Sequence, residues 1–519
     1  MSESTLEAPS VAESATPGQD FTPEPSPWTL RGFMRAHPWW TVAVVLVLVS
    51  AALVVWARTR PSYDAYGWLV WGYQTLHLTL DLGGAPSWKP LPFLFTVPYA
   101  LFGHYELWLW MITAVALSLA GGIFAGRIAY RLTIGDVPPA TDAARSRHRA
   151  ALAAAIFAGL AVLGLEDYMH YILSVQSDPM IVTFSLAAVD AHLSGHPRWA
   201  IALGTLASLG RPEAWPFLGL YSLWMWRRKP SMLWLIIPAG ALILFMWFGI
   251  PTITNGRPFV AGQLALLSPR ELHQNKIIGT FNRFTELQYL PIWLAAMFTV
   301  VVAAIRRNRL ILLLAAGCVV WVIIEIAFAL HGWPALPRYV MEPAAIAAVF
   351  AGVAVGWVLL WAPAARRGTP RWAGIPVVAV LVAALAPGAI ARLRTERTDL
   401  RHERGRTHEI NMLQSTLSVL GGYRHIRNCG EPVTNVEFVS ALAWFSKLDV
   451  GYVGHRPTFE LHQRYPIVLF VPLSKGGWRV IPWHTRSYQL ARCSGLNAAY
   501  VARGGGSFLV RHHRLPSLP

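Results

Sequence analysis

Long apolar runs separated by short polar connectors dominate the chain from residue 39 to residue 391. A helix needs roughly 20 mostly apolar residues to cross a bilayer. Runs near that length occupy 39–56, 105–130, 150–166, 178–193, 231–249, 288–305, 310–330, 342–362 and 372–391. The stretch 199–226 is also apolar, but Arg211-Pro212-Glu213 interrupts it and leaves two arms, each short for a full span. Broken backbone at membrane depth is tolerated only where it is buried in protein or lines a cavity. The pattern therefore predicts a pair of short or re-entrant helices meeting at that charged turn, and about eleven crossings in all.

The two ends differ from this body. Residues 1–36 are rich in Ser, Glu, Pro and Thr, which predicts a disordered tail. That tail is acidic and has no basic n-region, so the first apolar run is expected to be kept as a signal anchor. From 392 a charged stretch begins (Arg392, Arg394, Glu396, Arg397, Asp399, Arg401, Glu403, Arg404), followed by short apolar runs such as Tyr465 to Val471 between Gly and Pro. This reads as a small α/β domain. The expected fold is an all-α polytopic membrane bundle over 37–391 with a small C-terminal extracytoplasmic α/β domain over 392–519. No internal repeat is evident.

Composition agrees with a membrane location. Only 14% of the 519 residues are charged, where soluble domains carry about a quarter. The 24 tryptophans suit several membrane interfaces. The net charge of +17 comes from basic residues that cap hydrophobic runs and form no folded basic face, which argues against nucleic-acid binding. It fits the positive-inside rule and contact with membrane lipids. Basic connectors lie at 127–149, 227–229, 306–309 and 366–371. Placing all four in the cytoplasm puts the N-terminal tail there too. Asp64, the loop after Glu166, the 250–287 loop, the 331–341 loop and the C-terminal domain then lie outside. Of the three cysteines, Cys318 sits in an apolar run, while Cys429 and Cys493 fall in the outer domain, where a disulfide between them is expected.

On this topology several ionisable residues, remote in sequence, reach one membrane face. Asp64 follows the first span in an aromatic setting (Tyr63, Tyr66, Trp68, Trp71). Lys89 opens an apolar helix in Lys89-Pro90-Leu91-Pro92. Glu166 and Asp167 end a span, and Asp178-Pro179 starts the next. Arg338-Tyr339 closes the segment that begins at His331. Each has a plain structural reading: Lys89 as a snorkelling lysine, Asp178 as a helix cap, Arg211 and Glu213 as an ion pair within the bundle. Their shared face is what points to chemistry, because ionisable residues in membrane segments are expensive and usually functional.

The order of these motifs resembles the GT-C superfamily of integral-membrane glycosyltransferases, in particular the aminoarabinose transferase and protein mannosyltransferase-like branch. Members of that group carry an essential acid directly after span one, where Asp64 stands. Many have Asp-Glu there, whereas this chain has Asp64-Ala65. A Lys-Pro-Pro-Leu segment ends the same loop in that branch and is similar to Lys89-Pro90-Leu91-Pro92, with Phe102-Gly103 closing the helix. A later Asp heading a span resembles Asp178-Pro179, and Arg-Tyr followed by Pro resembles Arg338, Tyr339 and Pro343. The likeness covers roughly 37–365.

The resemblance implies transfer of a sugar from a polyprenyl-phosphate donor to a glycan, lipid or protein acceptor at the outer face of a bacterial plasma membrane. It implies Asp64 as general base, and Lys89, Arg338 and Tyr339 at the donor phosphate. Glu166, Asp167, Asp178, His331, Arg211 and Glu213 are left as acceptor or positioning residues. No cofactor is demanded by the residues. A divalent metal is compatible, since some relatives use one, but no tight carboxylate cluster requires it. A transporter or flippase of a lipid-linked intermediate shares the basic loops and is the alternative; it predicts two corresponding halves.

Overall fold

A computed structural model of the chain describes residues 37–84, 88–135, 142–266, 270–273, 275–364, 374–455, 466–473, 476–483, 498–502 and 508–512. The expected tail at 1–36 lies outside the described residues. The chain divides into two units, Met1–Leu46 and Val47–Pro519. In the first, the described residues form the start of helix α1 (Pro38–Ala57). All that follows concerns the second.

The bundle is helical throughout. After α1 come α2 (Tyr63–Leu76), α3 (Pro90–Ala100), α4 (Glu106–Ile134), α5 (Asp142–Leu163), α6 (Tyr168–Leu173) and α7 (Asp178–Leu193). Then follow α8 (Pro197–Gly210), α9 (Trp215–Arg228), α10 (Leu233–Leu244), α11 (Ile250–Asn255), α12 (Val260–Leu266) and α13 (Lys276–Glu286). The last are α14 (Leu290–Ile305), α15 (Arg309–Leu330), α16 (Met341–Ala364) and α17 (Gly374–Val419).

Among the described residues, seven helices are long and apolar enough to cross a membrane, or eight if α13 and α14, bent by 96°, make one span. The chain is a multi-pass membrane protein. The count of about eleven expected from hydropathy also included 178–193, both arms of 199–226 and 288–305. The structure builds these as α7, α8, α9 and α14, with 16, 14, 14 and 16 residues. Arg211 and Pro212 break the 199–226 stretch as expected, because Pro212 cannot donate to the helical ladder and Arg211 is extended at φ −148°.

Small residues set the closest packing, as they do where apolar surface offers no driving force between helices. A Cβ on Gly126 would lie 2.8 Å from the Ala155 carbonyl oxygen, and one on Gly159 would lie 2.8 Å from that of Gly122. Helices α4 and α5 therefore approach backbone to backbone, and α16 packs on both.

Helix α17 does not end where the apolar run ends. It continues through residue 392 to Val419, 46 residues in all, about 69 Å at 1.5 Å per residue and so longer than the membrane core. Arg, Glu and Leu are good helix formers, so the charged stretch changes the solvent around the helix without stopping it. Beyond it lie α18 (Tyr423–Cys429), α19 (Val439–Ser446) and a five-stranded sheet. The strands are β1 (Glu431–Val433), β2 (Ile467–Pro472), β3 (Gly477–Trp483), β4 (Ala498–Ala502) and β5 (Phe508–His512), in that spatial order. β1 and β2 are parallel and the remaining pairs antiparallel. This is the small mixed α/β element expected at the C-terminus. Cys429 is buried and disulfide-bonded; its expected partner Cys493 lies outside the described residues. Cys318 is free.

This C-terminal part packs on α2, with Tyr66 and Phe445 ring centres 5.9 Å apart. A second contact is polar. The turn at Asp449, whose Oδ1 accepts the Gly451 N–H at 2.8 Å, meets the loop after α2. A Cβ on Gly84 would lie 2.8 Å from the Gly451 Cα. In that loop Asp81 accepts from the Gly83 N–H at 2.7 Å and from the Asn255 side chain. Burial, with the adjacent Asp81 carboxylate, pushes the Asp449 carboxyl up to about 6, while an unfolded Asp takes its proton near ~3.9. Between these values the folded state keeps a proton that the unfolded state has lost. Stability from this group therefore falls as pH rises from about 4 to about 6 and is level above that. Asp449→Asn keeps the acceptor for Gly451 and removes the titration. Melting curves at pH 4.5 and pH 7 should show a smaller loss of stability on raising the pH in the variant than in the wild type.

Candidate active site

Four segments meet at one end of α7. The first is the connector 58–62, strapped to the turn before α7: Thr59 Oγ1 donates to the Leu173 carbonyl at 2.9 Å, the Ser62 N–H to the Ser174 carbonyl at 2.9 Å, and Gln176 Nε2 to Ser62 Oγ at 2.6 Å. These bonds put the first turn of α2, with Asp64, beside the start of α7. The second is the end of the 77–89 loop. Trp88 anchors it by stacking edgewise on Trp71, ring centres 5.5 Å apart, and donating Nε1–H to the Met246 carbonyl at 2.9 Å. Lys89 follows at once. The third is the break between α8 and α9, carrying Arg211. The fourth is the 3₁₀ turn Pro337–Val340 ahead of α16, carrying Arg338 and Tyr339.

The hub is Asp178. It lies in the first turn of α7, after Ser177 at the N-cap, and is fully buried. Its carboxylate serves three cations rather than the helix end. Lys89 Nζ is 3.2 Å from Oδ1, Arg211 Nη2 bonds the same oxygen, and Arg338 Nη1 is 3.8 Å from Oδ2. Ser177 Oγ accepts a second bond from Lys89 at 3.1 Å. Burial, against the pull of Asp178, lowers the Lys89 ammonium from its ordinary value. Arg211 Nη2 also donates to the Arg338 carbonyl at 3.0 Å, and its guanidinium lies 4.3 Å from the Tyr339 ring centre.

Asp64 completes the group from the side. Its Oδ2 is 3.6 Å from Arg338 Nη1. Asp64 and Arg338 keep 15% and 11% of their side-chain surface exposed, whereas Asp178 keeps 0% and Arg211 3%. The cluster thus has a sealed base and a half-open rim. Arg338 Nε is buried with no hydrogen-bond partner among the described residues.

The site residues read from the sequence are distributed as follows. Asp64, Lys89, Asp178, Arg211, Arg338 and Tyr339 come together. Glu213 joins through Arg211 at 3.5 Å. Glu166, Asp167 and His331 make no contact with the cluster among the described residues. Glu166 is ion-paired to Arg392 at 2.6 Å. Asp167 occupies a left-handed turn at φ 59°, and burial raises its carboxyl above the usual range. His331 is exposed at the end of α15.

Sequence reasoning missed Ser177, Glu342 and Glu325. Glu342 lies 3.6 Å from Arg211 Nε, and Glu325, 1% exposed, faces Glu213. A signal was present for both acids, since each falls within or at the head of an apolar run, where a carboxylate is costly. For Ser177 there was none.

No family model matches the sequence, and no curated protein matches it. Among solved structures, the chain is similar to ArnT from Cupriavidus metallidurans in the apo state. The TM-score is 0.50 at 16% identity, over 92% of this chain and 98% of that one. It is similar too to ArnT from the same organism bound to undecaprenyl phosphate, with TM-score 0.46 and 17% identity over the same shares. At such identities the first likeness is one of fold: the chain has an ArnT-like polytopic fold, as the motif order implied.

Removing one partner from a buried ion network leaves charges with no counter-charge, at a cost of about 3–5 kcal/mol. Asp178→Ala leaves Lys89 without its carboxylate partner and takes one from Arg211 and from Arg338, and should lower the melting temperature of the detergent-purified protein and its folded yield. Removing Asp64, which keeps 15% of its side chain exposed and pairs with Arg338, should cost less by the same measurement.

Proposed function

We propose that the chain is a membrane glycosyltransferase that moves a sugar from a polyprenyl-phosphate donor to a glycan, lipid or protein acceptor. The site faces the extracytoplasmic side of a bacterial plasma membrane. The observation that carries this reading is the pairing of a rim carboxylate, Asp64, with a guanidinium 3.6 Å away whose buried Nε has no acceptor among the described residues. A buried donor without a partner costs about 1–3 kcal/mol, and a phosphate oxygen would satisfy it. Support comes also from the ArnT-like fold and from the GT-C motif order.

The proposed reaction is a single inverting displacement. The acceptor hydroxyl oxygen attacks the anomeric carbon and forms the new glycosidic bond. Its proton passes to Asp64 as general base. The bond from the anomeric carbon to the phosphate oxygen breaks, and the electron pair leaves with the polyprenyl phosphate. Attack from the face opposite the leaving group inverts the anomeric centre. Arg338 meets the developing negative charge with two parallel donors, and Lys89 adds a further positive charge. Tyr339 supplies a hydroxyl donor and, beneath Arg211, a cation–π face. Asp178 holds Lys89 and Arg338 in place. Glu213 and Glu342 hold Arg211.

The test uses purified protein with a panel of undecaprenyl-phosphate-linked sugars and reads release of undecaprenyl phosphate by mass spectrometry. Asp64→Asn should reduce release by about 10²–10⁴-fold, the usual contribution of a general base, with the fold retained. Release at the wild-type rate would remove Asp64 from this role. Arg338→Lys keeps the charge but loses the fork, and should weaken turnover by about 10²-fold or more. Unchanged kinetics in that variant would argue against contact with the phosphate. Transport of a lipid-linked sugar that survives Asp64→Asn, without turnover, would favour the flippase reading.

A further inference from the structure

Asp190 lies on α7 twelve residues beyond Asp178, about 18 Å along the helix, and so near the opposite end of the bundle from the charged cluster. It is 3% exposed and holds two arginines of α4. Arg127 Nε is 3.0 Å from its Oδ2 and Arg131 Nε 3.1 Å from its Oδ1. Arg131 Nη1 also donates to the Leu193 carbonyl at 3.4 Å. Both guanidinium groups are thereby fixed, yet each side chain keeps about a third of its surface exposed, 35% and 36%.

These arginines, with Tyr130, line the polar end of a groove of about 740 Å³ between α4 and α5. The remainder of the groove is apolar and runs back along α4 to Leu119. From Arg131 to Leu119 is about 18 Å of helix, close to the ~15 Å depth of one leaflet of the membrane core. Ile123, Ile156 and Leu160 on its walls are 37%, 56% and 64% exposed. The groove therefore joins a rigid pair of guanidinium groups to an apolar trough one leaflet deep. That is the complement of an amphiphile with an anionic phosphate head, and basic pockets between membrane helices bind such head groups. Arginine suits this role because its planar fork matches phosphate geometry.

We propose that this groove binds one anionic phospholipid from the leaflet opposite the charged cluster. The lipid phosphate lies against Arg127 and Arg131, and one acyl chain lies along α4 and α5. The site is separate from the proposed catalytic machinery and stands whether or not that reading holds.

The experiment takes the full chain purified in neutral detergent, exchanges it into equal amounts of phosphatidylglycerol and phosphatidylcholine, and counts retained lipids by native mass spectrometry. Wild-type protein should keep phosphatidylglycerol over phosphatidylcholine by about 25-fold, about fivefold for each of two arginines beside a net anionic head group. Arg131→Gln should lower that ratio by about fivefold, and Arg127→Gln with Arg131→Gln should abolish it. Ile156→Trp, which narrows the trough and leaves both charges and Asp190 untouched, should reduce phosphatidylglycerol retention without a change of fold. Equal retention of both lipids by the wild type, which needs no variant to fold, would overturn the proposal. So would a preference that persists in the double arginine variant.

Discussion

One carboxylate with three cations around it is the constraint on which the site depends. Asp178 is fully buried, and a lone charge in that position would cost several kcal/mol. Lys89, Arg211 and Arg338 around it offset that cost. Those three come from the end of the loop after α2, from a break between two short helices, and from the turn ahead of α16. The network is complete only when all of these segments dock against α7. Ion pairs that join several elements restrain the parts they link, so the ion cluster also fixes where the rim residues stand.

The other half of the positioning is done by arginines of α17 that bond backbone carbonyls. Arg404 donates to the carbonyls of Ala57 and Trp56 at 2.8 and 3.0 Å, oxygens left without partners where α1 ends. Arg406 donates to those of Pro61 and Arg60 at 3.0 and 2.7 Å. Asp64 begins three residues later. Further along, Arg392 takes the carbonyls of Gly164 and Leu287 as well as the Glu166 carboxylate. The charged continuation of α17 thus ties the connector before Asp64, and the loop before α6, to a single rigid helix.

That arrangement explains which parts of the site were legible from sequence. The apolar runs set the bundle, and their polar gaps put Asp64, Lys89, Asp178 and Arg338 on one face. A shared membrane face was the expectation that suggested their convergence, and the structure brings them together. The role of Asp178 did not, since Asp before Pro at a helix start is equally a cap, and only the positions of three distant cations decide between the readings. Glu166 looked like a site residue because nothing in its own neighbourhood neutralises it. Its partner, Arg392, is 226 positions away. Likewise the change in composition at 392 suggested a new domain, although helix propensity continues through it, and the described sheet begins only at Glu431.

The two carboxylates of the cluster are not interchangeable as bases, and electrostatics says why. Protonating Asp178 would leave three buried cations without their shared counter-charge. Asp64 is ion-paired only with Arg338 among the described residues, at a rim where 15% of the carboxylate side chain is still exposed. In the proposed transfer, Asp64 loses its charge as the leaving phosphate gains one. Both events occur beside the same guanidinium. Arg338 exchanges one anionic partner for another while Asp178 keeps it anchored, so the negative charge facing it is conserved through the transition state. An active site arranged in this way stabilises the leaving group with groups already in place, which is the condition under which such donors act most strongly.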